Sequence, residues 1–353
     1  MQPAAATVTP INWARANLFN SWLNGALTLL LLASFAWLVP KLVAWAVTDA
    51  VFAADPVACR TAEGACWGFI VEKFRLMTFG TYPYGEQWRP LVMMIMLLTL
   101  IGLTMNTRLW GRWLWTAWLA GVAAMWVLMN GGIFGLPVVE TDKWGGLPLT
   151  LILAVNGIVF SFPLAILLAL GRRSDMPAIK AICIAFIELV RGVPLITVLF
   201  MASLMIPLFL PEGITIDKLL RAQIAFILFA AAYEAEVIRG GLQAIAKGQF
   251  EAADALRLSY WQKTGLIILP QALKLVIPPM VNTFIGFFKD TSLVIIIGMF
   301  DLLGATRLAS SDPVWRPYYV EGLVFVALIY FVFCYTMAEY SRSVERRLNR
   351  GTR

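Results

Sequence analysis

The sequence has no histidine, few charged residues and only four cysteines. Without histidine, the chain cannot form histidine metal sites, Ser-His-Asp triads or histidine proton relays. No two cysteines have the CxxC spacing, which disfavours a zinc or redox site. The sequence also lacks a glycine-rich phosphate loop of the GxxxxGK[ST] type. We therefore expect no metal site, no cofactor and no ATP hydrolysis in this chain.

Apolar residues, by contrast, make up 60% of the 353 residues, and charged residues only 14%. A soluble globular chain is about 45–50% apolar and about 25% charged. Because a single water-soluble core stops growing at about 250–300 residues, we expect this chain to lie in lipid. The net charge of +7 comes from Lys and Arg in short segments between apolar runs. That distribution fits the positive-inside rule better than a nucleic-acid surface.

Runs of about 20 apolar residues indicate membrane spans. The sequence contains eight such runs, at 22–47, 90–106, 113–131, 148–170, 178–208, 221–241, 272–300 and 321–340. The first is too long for the apolar region of a signal peptide, so we expect it to be retained. Pro194 and Pro207 interrupt the fifth run and predict a bend, and polar residues 289–292 divide the seventh. The predicted fold is an all-α integral membrane protein.

The distribution of basic residues predicts the orientation in the membrane. With eight spans, both termini lie on the same side, and the loops on that side contain residues such as Arg172 and Lys263. Both termini are therefore expected to be cytoplasmic. The outer loop at about 48–89 then faces an oxidising periplasm, where Cys59 and Cys66, seven positions apart, are predicted to form a disulfide.

The inner loop at 242–271 is longer than a connection between two spans requires. Within it, residues 251–258 favour a helix and are rich in alanine, and Gly248 and Pro270 mark the ends of the element. Small alanines permit close approach of another surface. The residues alone leave two interpretations open: an amphipathic helix that lies on the membrane, and a docking helix for a cytoplasmic partner.

Residues 251–253 read EAA and residues 267–270 read I-x-L-P. This pair resembles the EAA motif of ABC importer permeases, which is EAA, three residues, Gly, nine residues and I-x-L-P. The spacing matches throughout, but Arg257 replaces the glycine and is expected to alter the turn after the first helix. The resemblance implies that the residues docking a cytoplasmic ATPase are Gly248, Glu251, Ala252, Ala253, Asp254, Leu256 and Arg257.

Further segments within 148–345 resemble the polar amino acid permeases among these proteins. They are E-x-x-R-G-x-P-L at 188–195, Y-x-A-E-x-x-R-G at 233–240, G-Q at 248–249 and K-D-[ST]-S-L at 289–293. The three preceding spans and the long outer loop resemble the membrane subunits of general L-amino acid permeases. The resemblance therefore extends over the whole chain, with its specific motifs in the C-terminal part.

The resemblance implies a type I ABC importer permease core at 148–345, with a cytoplasmic coupling loop at 242–271. It also implies an N-terminal extension with three spans and a long periplasmic loop at 1–147, and a basic cytoplasmic tail at 346–353. The expected partners are a second permease subunit (a paralogue or a second copy), a cytoplasmic ATPase dimer that binds ATP and Mg, and a periplasmic substrate-binding protein. The expected function is uptake of L-amino acids across a bacterial inner membrane, with no nucleic-acid partner.

Charged residues within spans cost about 2.5–3.5 kcal/mol on insertion scales and are candidates for function. Glu188 and Arg191 are spaced i, i+3, and Lys289 and Asp290 are adjacent, so mutual pairing is one interpretation and substrate contact is the other. Three more charged residues are expected near the cytoplasmic end of their span: Glu234, Glu236 and Arg239. By resemblance, the predicted substrate-binding residues are Thr150, Glu188, Arg191, Lys289, Asp290, Thr291 and Ser292.

Two other functional classes fit parts of the sequence. Glu188 and Asp290 are conceivable carboxylates of an intramembrane enzyme, but the absence of histidine and of a Ser-Lys pair at mid-span disfavours that reading. The alternative to an ATP-driven importer is a self-contained channel or secondary transporter for small polar solutes. The predicted docking helix argues against it, because an autonomous carrier needs none.

Overall fold

The computed structural model describes residues 9–106, 109, 111–211 and 213–350. Within these ranges the secondary structure is helical, and the only β pairing is two isolated bridges. The predicted all-α fold is therefore confirmed. Residues 351–353 of the predicted basic tail lie outside the described part of the chain.

The chain forms two compact units, residues 1–72 and 73–353. The helices that begin in the first unit are α1 (Pro10–Asn17), α2 (Trp22–Val43), α3 (Pro56–Thr61) and α4 (Gly68–Phe79). The Ser21 hydroxyl accepts a hydrogen bond from the Asn24 amide and caps the start of α2. No residue of α2 is buried, as expected of an apolar helix that faces lipid.

The second unit contains the remaining helices, which are named here in chain order. They are α5 (Trp88–Met105), α6 (Arg112–Asn130), α7 (Gly146–Arg172), α8 (Pro177–Gly192), α9 (Leu195–Phe209), α10 (Lys218–Ala244), α11 (Lys247–Ala255), α12 (Tyr260–Gln262), α13 (Leu269–Asp290), α14 (Leu302–Ala309) and α15 (Tyr319–Arg350). A π-helical segment, Lys263–Ile268, joins α12 to α13, and a 3-10 segment, Thr291–Ile297, follows α13. The predicted division of the seventh run falls where α13 ends.

Among the described residues, six helices are long and apolar enough to cross a membrane, or up to seven if a bent pair counts as one span. That pair is α8 and α9, which meet at 104°. Pro194 stands at the junction and has no backbone N–H to continue the helix, so the predicted bend is confirmed there. Pro207 lies inside α9, near its end, and does not interrupt it. The remaining predicted span is α10, which is long enough but contains Glu234 and Glu236. Helix α10 can therefore be the eighth span only if other protein segments, and not lipid, surround the Glu234 and Glu236 side chains.

Helices α7 and α10 form the centre of the second unit and pack closely through small residues. Ala231 and Ala235 are fully buried. A Cβ at Gly241 would lie 2.3 Å from Val276 Cγ1, so only glycine fits where α10 meets α13. Both helices run towards residues 245–268. We call that end of the unit the loop end and the opposite end the far end.

Helices α5 and α6 pack on α7 instead of forming a separate domain. Met93, Leu97 and Met129 belong to the same buried apolar cluster as Leu149 of α7. The predicted extension at 1–147 therefore does not coincide with a compact unit, because α5 and α6 bury their apolar faces against the core helices.

Candidate functional site

The predicted docking helix is α11, and its two faces differ sharply in exposure. Gly248, Glu251, Ala252 and Ala255 are exposed and form the outer face of the helix. Ala253 is fully buried on the inner face, next to the segment that leads into α13. The Ala253 side chain thus packs inside the loop, and its contact with a partner stays a prediction.

Side-chain contacts hold the loop around α11 in one conformation. Asp254 Oδ1 pairs with Lys263 Nζ at 2.6 Å. Gln271 Nε2 of α13 donates to Gln249 Oε1 at 3.1 Å. Ser259 begins a capping box at the short helix α12. Asp254, predicted to contact an ATPase, thus has an internal partner, although its side chain is still 58% exposed.

Arg257 has a φ of 55°, the left-handed region that glycine favours. The position of the motif glycine therefore keeps the left-handed conformation after α11, although arginine occupies it in this chain. Leu256 beside it is 71% exposed and Trp261 is 69% exposed. The outer side of the loop thus combines small residues, the exposed carboxylates of Glu251 and Asp254, and large apolar side chains, a surface suited to contact with another protein.

Five charged side chains from three helices meet at the loop end; we call them the charge cluster. They are Arg172 of α7, Glu188 and Arg191 of α8, and Glu236 and Arg239 of α10. Glu236 is at the centre, with its carboxylate 2.7 Å from Arg172 Nη1, 2.7 Å from Arg239 Nη2 and 3.9 Å from Arg191 Nη1. Its side chain is only 14% exposed, so the ion pairs are poorly screened by water.

The predicted i, i+3 pairing of Glu188 with Arg191 is replaced by contacts to other helices. Glu188 Oε1 accepts from Arg172 Nη1 at 2.8 Å. The Arg191 guanidinium lies over the Tyr233 ring, 5.4 Å from its centre. Because α8 packs on both α7 and α10, the nearest partners of its charges come from those helices. Contact of Glu188 or Arg191 with a substrate stays a prediction.

Glu234 is fully buried but takes no part in the charge cluster. Its Oε1 accepts a hydrogen bond from Ser161 Oγ at 2.7 Å, which ties α10 to α7. Among the described residues, Oε2 has no hydrogen-bond partner. The sequence identified Glu234 as a costly charge in a span, and the structure places it between the two central helices.

A second polar cluster is buried at the far end. Thr150 Oγ1 accepts from the Leu302 amide at 3.0 Å, and the Tyr330 hydroxyl donates to Asp301 Oδ2 at 3.0 Å. The Tyr330 hydroxyl also interacts with Thr150 and Thr291. Sequence reasoning identified the two threonines but missed Asp301 and Tyr330. The signal for Asp301 was its place directly before a helix, where Asp is a favoured cap.

The seven predicted substrate-binding residues do not come together in one site. Thr150 and the end of α7 at Arg172 are separated by roughly 33 Å of helix, at about 1.5 Å per residue. Glu188 and Arg191 lie at the loop end, whereas Thr150 and Thr291 belong to the far-end cluster. Three others lie where α13 passes into the 3-10 segment: Lys289, which is exposed, and Asp290 and Ser292, which are half-buried.

Residues 161–350 match the family described as binding-protein-dependent transport system inner membrane component, which is more than half of the chain. The chain belongs to this family. This permease is thus a multi-pass inner membrane protein, and its resemblance to ABC importer permeases is confirmed.

Two relatives cover nearly the whole length of this permease. The inner membrane amino-acid ABC transporter permease protein YhdY of Escherichia coli is 51% identical over 347 residues, with 96% of this chain and 93% of that protein covered. The glutamate/glutamine/aspartate/asparagine transport system permease protein BztC of Rhodobacter capsulatus is 40% identical, with 98% of this chain and 95% of that protein covered.

Among solved structures, the crystal structure of an amino acid ABC transporter with histidines is 31% identical to this permease, with a TM-score of 0.51. The match covers 57% of this chain and 92% of that chain. The type I ABC importer permease fold inferred from the sequence is therefore confirmed.

Proposed function

We propose that this permease is the membrane subunit of an importer for L-amino acids that is driven by a separate ATPase. The observation that carries the proposal is the exposed outer face of α11 on a loop held by internal contacts. Such a loop can pass a movement of a docked protein to α13 and, through the packing of α13, to α10. The names of the two full-length relatives support amino acids as the substrate.

The proposed assembly places the loop end in the cytoplasm, together with both termini. A dimeric ATPase docks there and binds ATP and Mg, a second permease subunit completes the pathway, and a periplasmic binding protein delivers substrate at the far end. The positive-inside rule supports this orientation, because Arg172, Arg191 and Arg239 all lie at the loop end.

The proposed substrate residues divide into two stations along the pathway. Lys289, Asp290 and Ser292, where α13 ends, offer charges of both signs to an amino-acid zwitterion. Glu188 and Arg191 offer the same pair of charges at the loop end. Because an ammonium needs an acceptor and a carboxylate needs donors, either station has the chemistry to hold the substrate briefly during passage.

Replacement of Glu251 by Lys tests the proposal, since it reverses an exposed charge on the outer face of α11. We expect Glu251→Lys to abolish binding-protein-stimulated ATP hydrolysis and amino-acid uptake in proteoliposomes that contain the complete transporter. Glu345→Lys, an exposed charge reversal on α15, serves as the matched control and should keep both activities. Uptake that persists in the Glu251→Lys variant, or without any ATPase, would favour a self-contained channel or secondary transporter.

A further inference from the structure

Glu234 of α10 is a carboxyl group that neither station of the proposed pathway uses. Its side chain is fully buried, and among the described residues its Oε2 has no hydrogen-bond partner. Its Oε1 lies 2.7 Å from Ser161 Oγ of α7, and Ser161 is fully buried as well. The carboxyl group and the hydroxyl group therefore meet where the two central helices pack.

The surroundings of this pair are apolar on both helices. Ala231 and Ile238 lie one turn before and one turn after Glu234 on α10, and Ala165 lies one turn after Ser161 on α7. All three are fully buried and belong to one apolar cluster. A carboxylate in such a site loses its hydration, and the cost is offset only where a cation or several hydrogen-bond donors replace the water.

The described residues provide no cation for Glu234. Helices α7, α8, α9 and α13 and the turn at 141–143 pack against α10, and α9 carries no titratable side chain. The titratable and charged side chains of the other elements and of α10 itself are Asp142, Lys143, Arg172, Lys180, Cys183, Glu188, Arg191, Lys218, Arg221, Tyr233, Glu236, Arg239, Lys274, Lys289 and Asp290. Within the part of the chain that the structure describes, none of them forms an ion pair or a hydrogen bond with Glu234.

Helix geometry keeps the charge cluster away from Glu234. Side chains two positions apart on a helix point about 200° apart, so Glu234 and Glu236 face opposite sides of α10. Arg172 is 11 residues beyond Ser161 on α7, or roughly 16 Å along the helix axis. The arginines that neutralise Glu236 therefore do not neutralise Glu234.

The hydrogen bonds of Ser161 indicate how the site avoids a buried charge. The Ser161 hydroxyl has a single hydrogen but two oxygens within reach, Glu234 Oε1 at 2.7 Å and the Ile158 carbonyl at 3.0 Å. With a proton on Oε1, Glu234 donates to Ser161 Oγ while Ser161 donates to the Ile158 carbonyl. Both contacts are then hydrogen bonds, and Oε2 is a neutral carbonyl oxygen, which costs less to leave without a donor than a carboxylate oxygen does.

We propose that Glu234 is a proton-binding site that is protonated in this conformation and joins α10 to α7 through Ser161. When the two helices part and water reaches the site, the O–H bond of the carboxyl group breaks. The proton passes to water and the electron pair stays on the carboxylate. The packed conformation thus binds one proton more than a conformation in which Glu234 is hydrated, so a rise in pH favours the opened conformations.

Infrared spectroscopy of the full-length permease in lipid vesicles tests the protonation state. At about pH 7, a solvated glutamate, which ionises at about pH 4.3, has lost its proton. Wild type should nevertheless show the C=O stretch of a protonated carboxyl group, and Glu234→Gln should lose the contribution of one such group. Glu236→Gln, two residues along the same helix, is the matched control and should keep it, because Glu236 is paired with arginines. An identical acid band in wild type and Glu234→Gln would overturn the proposal, since the band would then belong to other carboxyl groups, such as Asp290 or Asp301.

The pH dependence of unfolding tests the link between the proton and the packing. The chain has no histidine, so few other side chains titrate between about pH 5.5 and 7.5. Because unfolding hydrates Glu234 and releases its proton, the unfolding equilibrium constant of wild type should rise about tenfold per pH unit relative to that of Glu234→Gln. The thermal midpoint should therefore fall more steeply with pH in wild type than in Glu234→Gln. Equal pH dependence of the two proteins would contradict the proposal.

Ser161→Ala keeps the test decisive if Glu234→Gln does not fold. This variant leaves the buried carboxyl group in place but removes its acceptor, so the acid band should persist and shift in frequency. A band that Ser161→Ala leaves unchanged would overturn the proposal, because it would not come from Glu234. None of these measurements depends on uptake or on an ATPase, so their outcome is separate from the test of the proposed function.

Discussion

At the scale of single residues, Arg257 replaces the glycine of the EAA motif and also has an unfavourable backbone conformation. Its φ of 55° strains any residue that has a Cβ. We therefore expect Arg257→Gly to raise the free energy of unfolding by about 1 kcal/mol, seen as a higher thermal midpoint of the purified permease. Leu258→Gly is the control, because Leu258 does not have a positive φ, and it should lower stability by about 0.5–1 kcal/mol. A lower midpoint for Arg257→Gly would mean that the arginine side chain makes contacts that outweigh the strain.

Glu236 is the residue on which the charge cluster depends, since it pairs with Arg172, Arg191 and Arg239. Glu236→Gln removes the negative charge that all three arginines share, leaves Glu188 as the one remaining carboxylate of the charge cluster, and so increases the repulsion among the arginines. We expect a loss of about 1–3 kcal/mol in stability, the usual cost of an uncompensated polar group in a poorly solvated site. The measurement is again the thermal midpoint, taken at low and high salt, because salt should partly relieve the repulsion.

The pair Glu339 and Arg342 provides the comparison for that variant. Its atoms are also 2.7 Å apart, but the side chains are 39% and 57% exposed. Glu339→Gln should therefore cost about 0–1 kcal/mol, as for other surface pairs. Equal effects of Glu236→Gln and Glu339→Gln would show that the charge cluster is as well solvated as the surface, against the burial seen in the structure.

At the scale of elements, the two faces of α11 predict different consequences for neighbouring alanines. Ala252 is exposed, so Ala252→Trp should leave the loop intact and block docking of the ATPase. Ala253 is fully buried, so Ala253→Trp should overpack the loop, at a cost of about 1–3 kcal/mol, and loosen it. Limited proteolysis between residues 245 and 268 separates the two effects. We expect faster cleavage for Ala253→Trp alone and loss of ATPase co-purification for both variants.

The comparison of these variants also tests which face of α11 docks. If Ala252→Trp retains the ATPase at the wild-type level, the outer face is not the contact surface. In that case α11 is better described as an amphipathic helix on the membrane. The bend between α8 and α9 is an element of a different kind, because Pro194 specifies it locally, whereas the exposure of α11 depends on how the loop packs.

At the scale of the whole molecule, the cysteines report the orientation. In the structure Cys59 and Cys66 are joined by a disulfide, with their Cα atoms 5.4 Å apart. In a variant whose other cysteines, Cys183 and Cys334, are replaced by serine, an impermeant maleimide should label no thiol before reduction. After reduction in mild urea, which opens the loop around these two buried thiols, it should label them in right-side-out vesicles only.

Ala252→Cys in the same background provides the opposite report, because it places a thiol on the outer face of α11. We expect its label in inside-out vesicles only, whether or not a reductant is present. Free thiols at positions 59 and 66 before reduction would contradict the disulfide. Labelling of both sites from one side would contradict the placement of the loop end in the cytoplasm.

The membrane spans, the bend at Pro194 and the EAA spacing were readable from the sequence because each depends on residues close together along the chain. The length of an apolar run matches the thickness of the bilayer, and a proline in the interior of a helix bends or interrupts it through its own covalent structure. Family membership followed from the same local spacing, since the motif at 251–270 keeps its register even with Arg257 in place of glycine.

Tertiary structure alone decided which charges pair and which faces are buried. Glu188 bonds Arg172, 16 residues away, instead of Arg191, three residues away, because helix packing brought α7 closer than the turn of its own helix. Thr150, Asp301 and Tyr330 meet across some 180 residues of sequence. Ala252 and Ala253 are neighbouring residues of the same type, yet Ala252 is exposed and Ala253 is buried. Successive side chains of a helix point about 100° apart, so the two alanines face different sides. Only the packing of the loop determines which of these sides is covered.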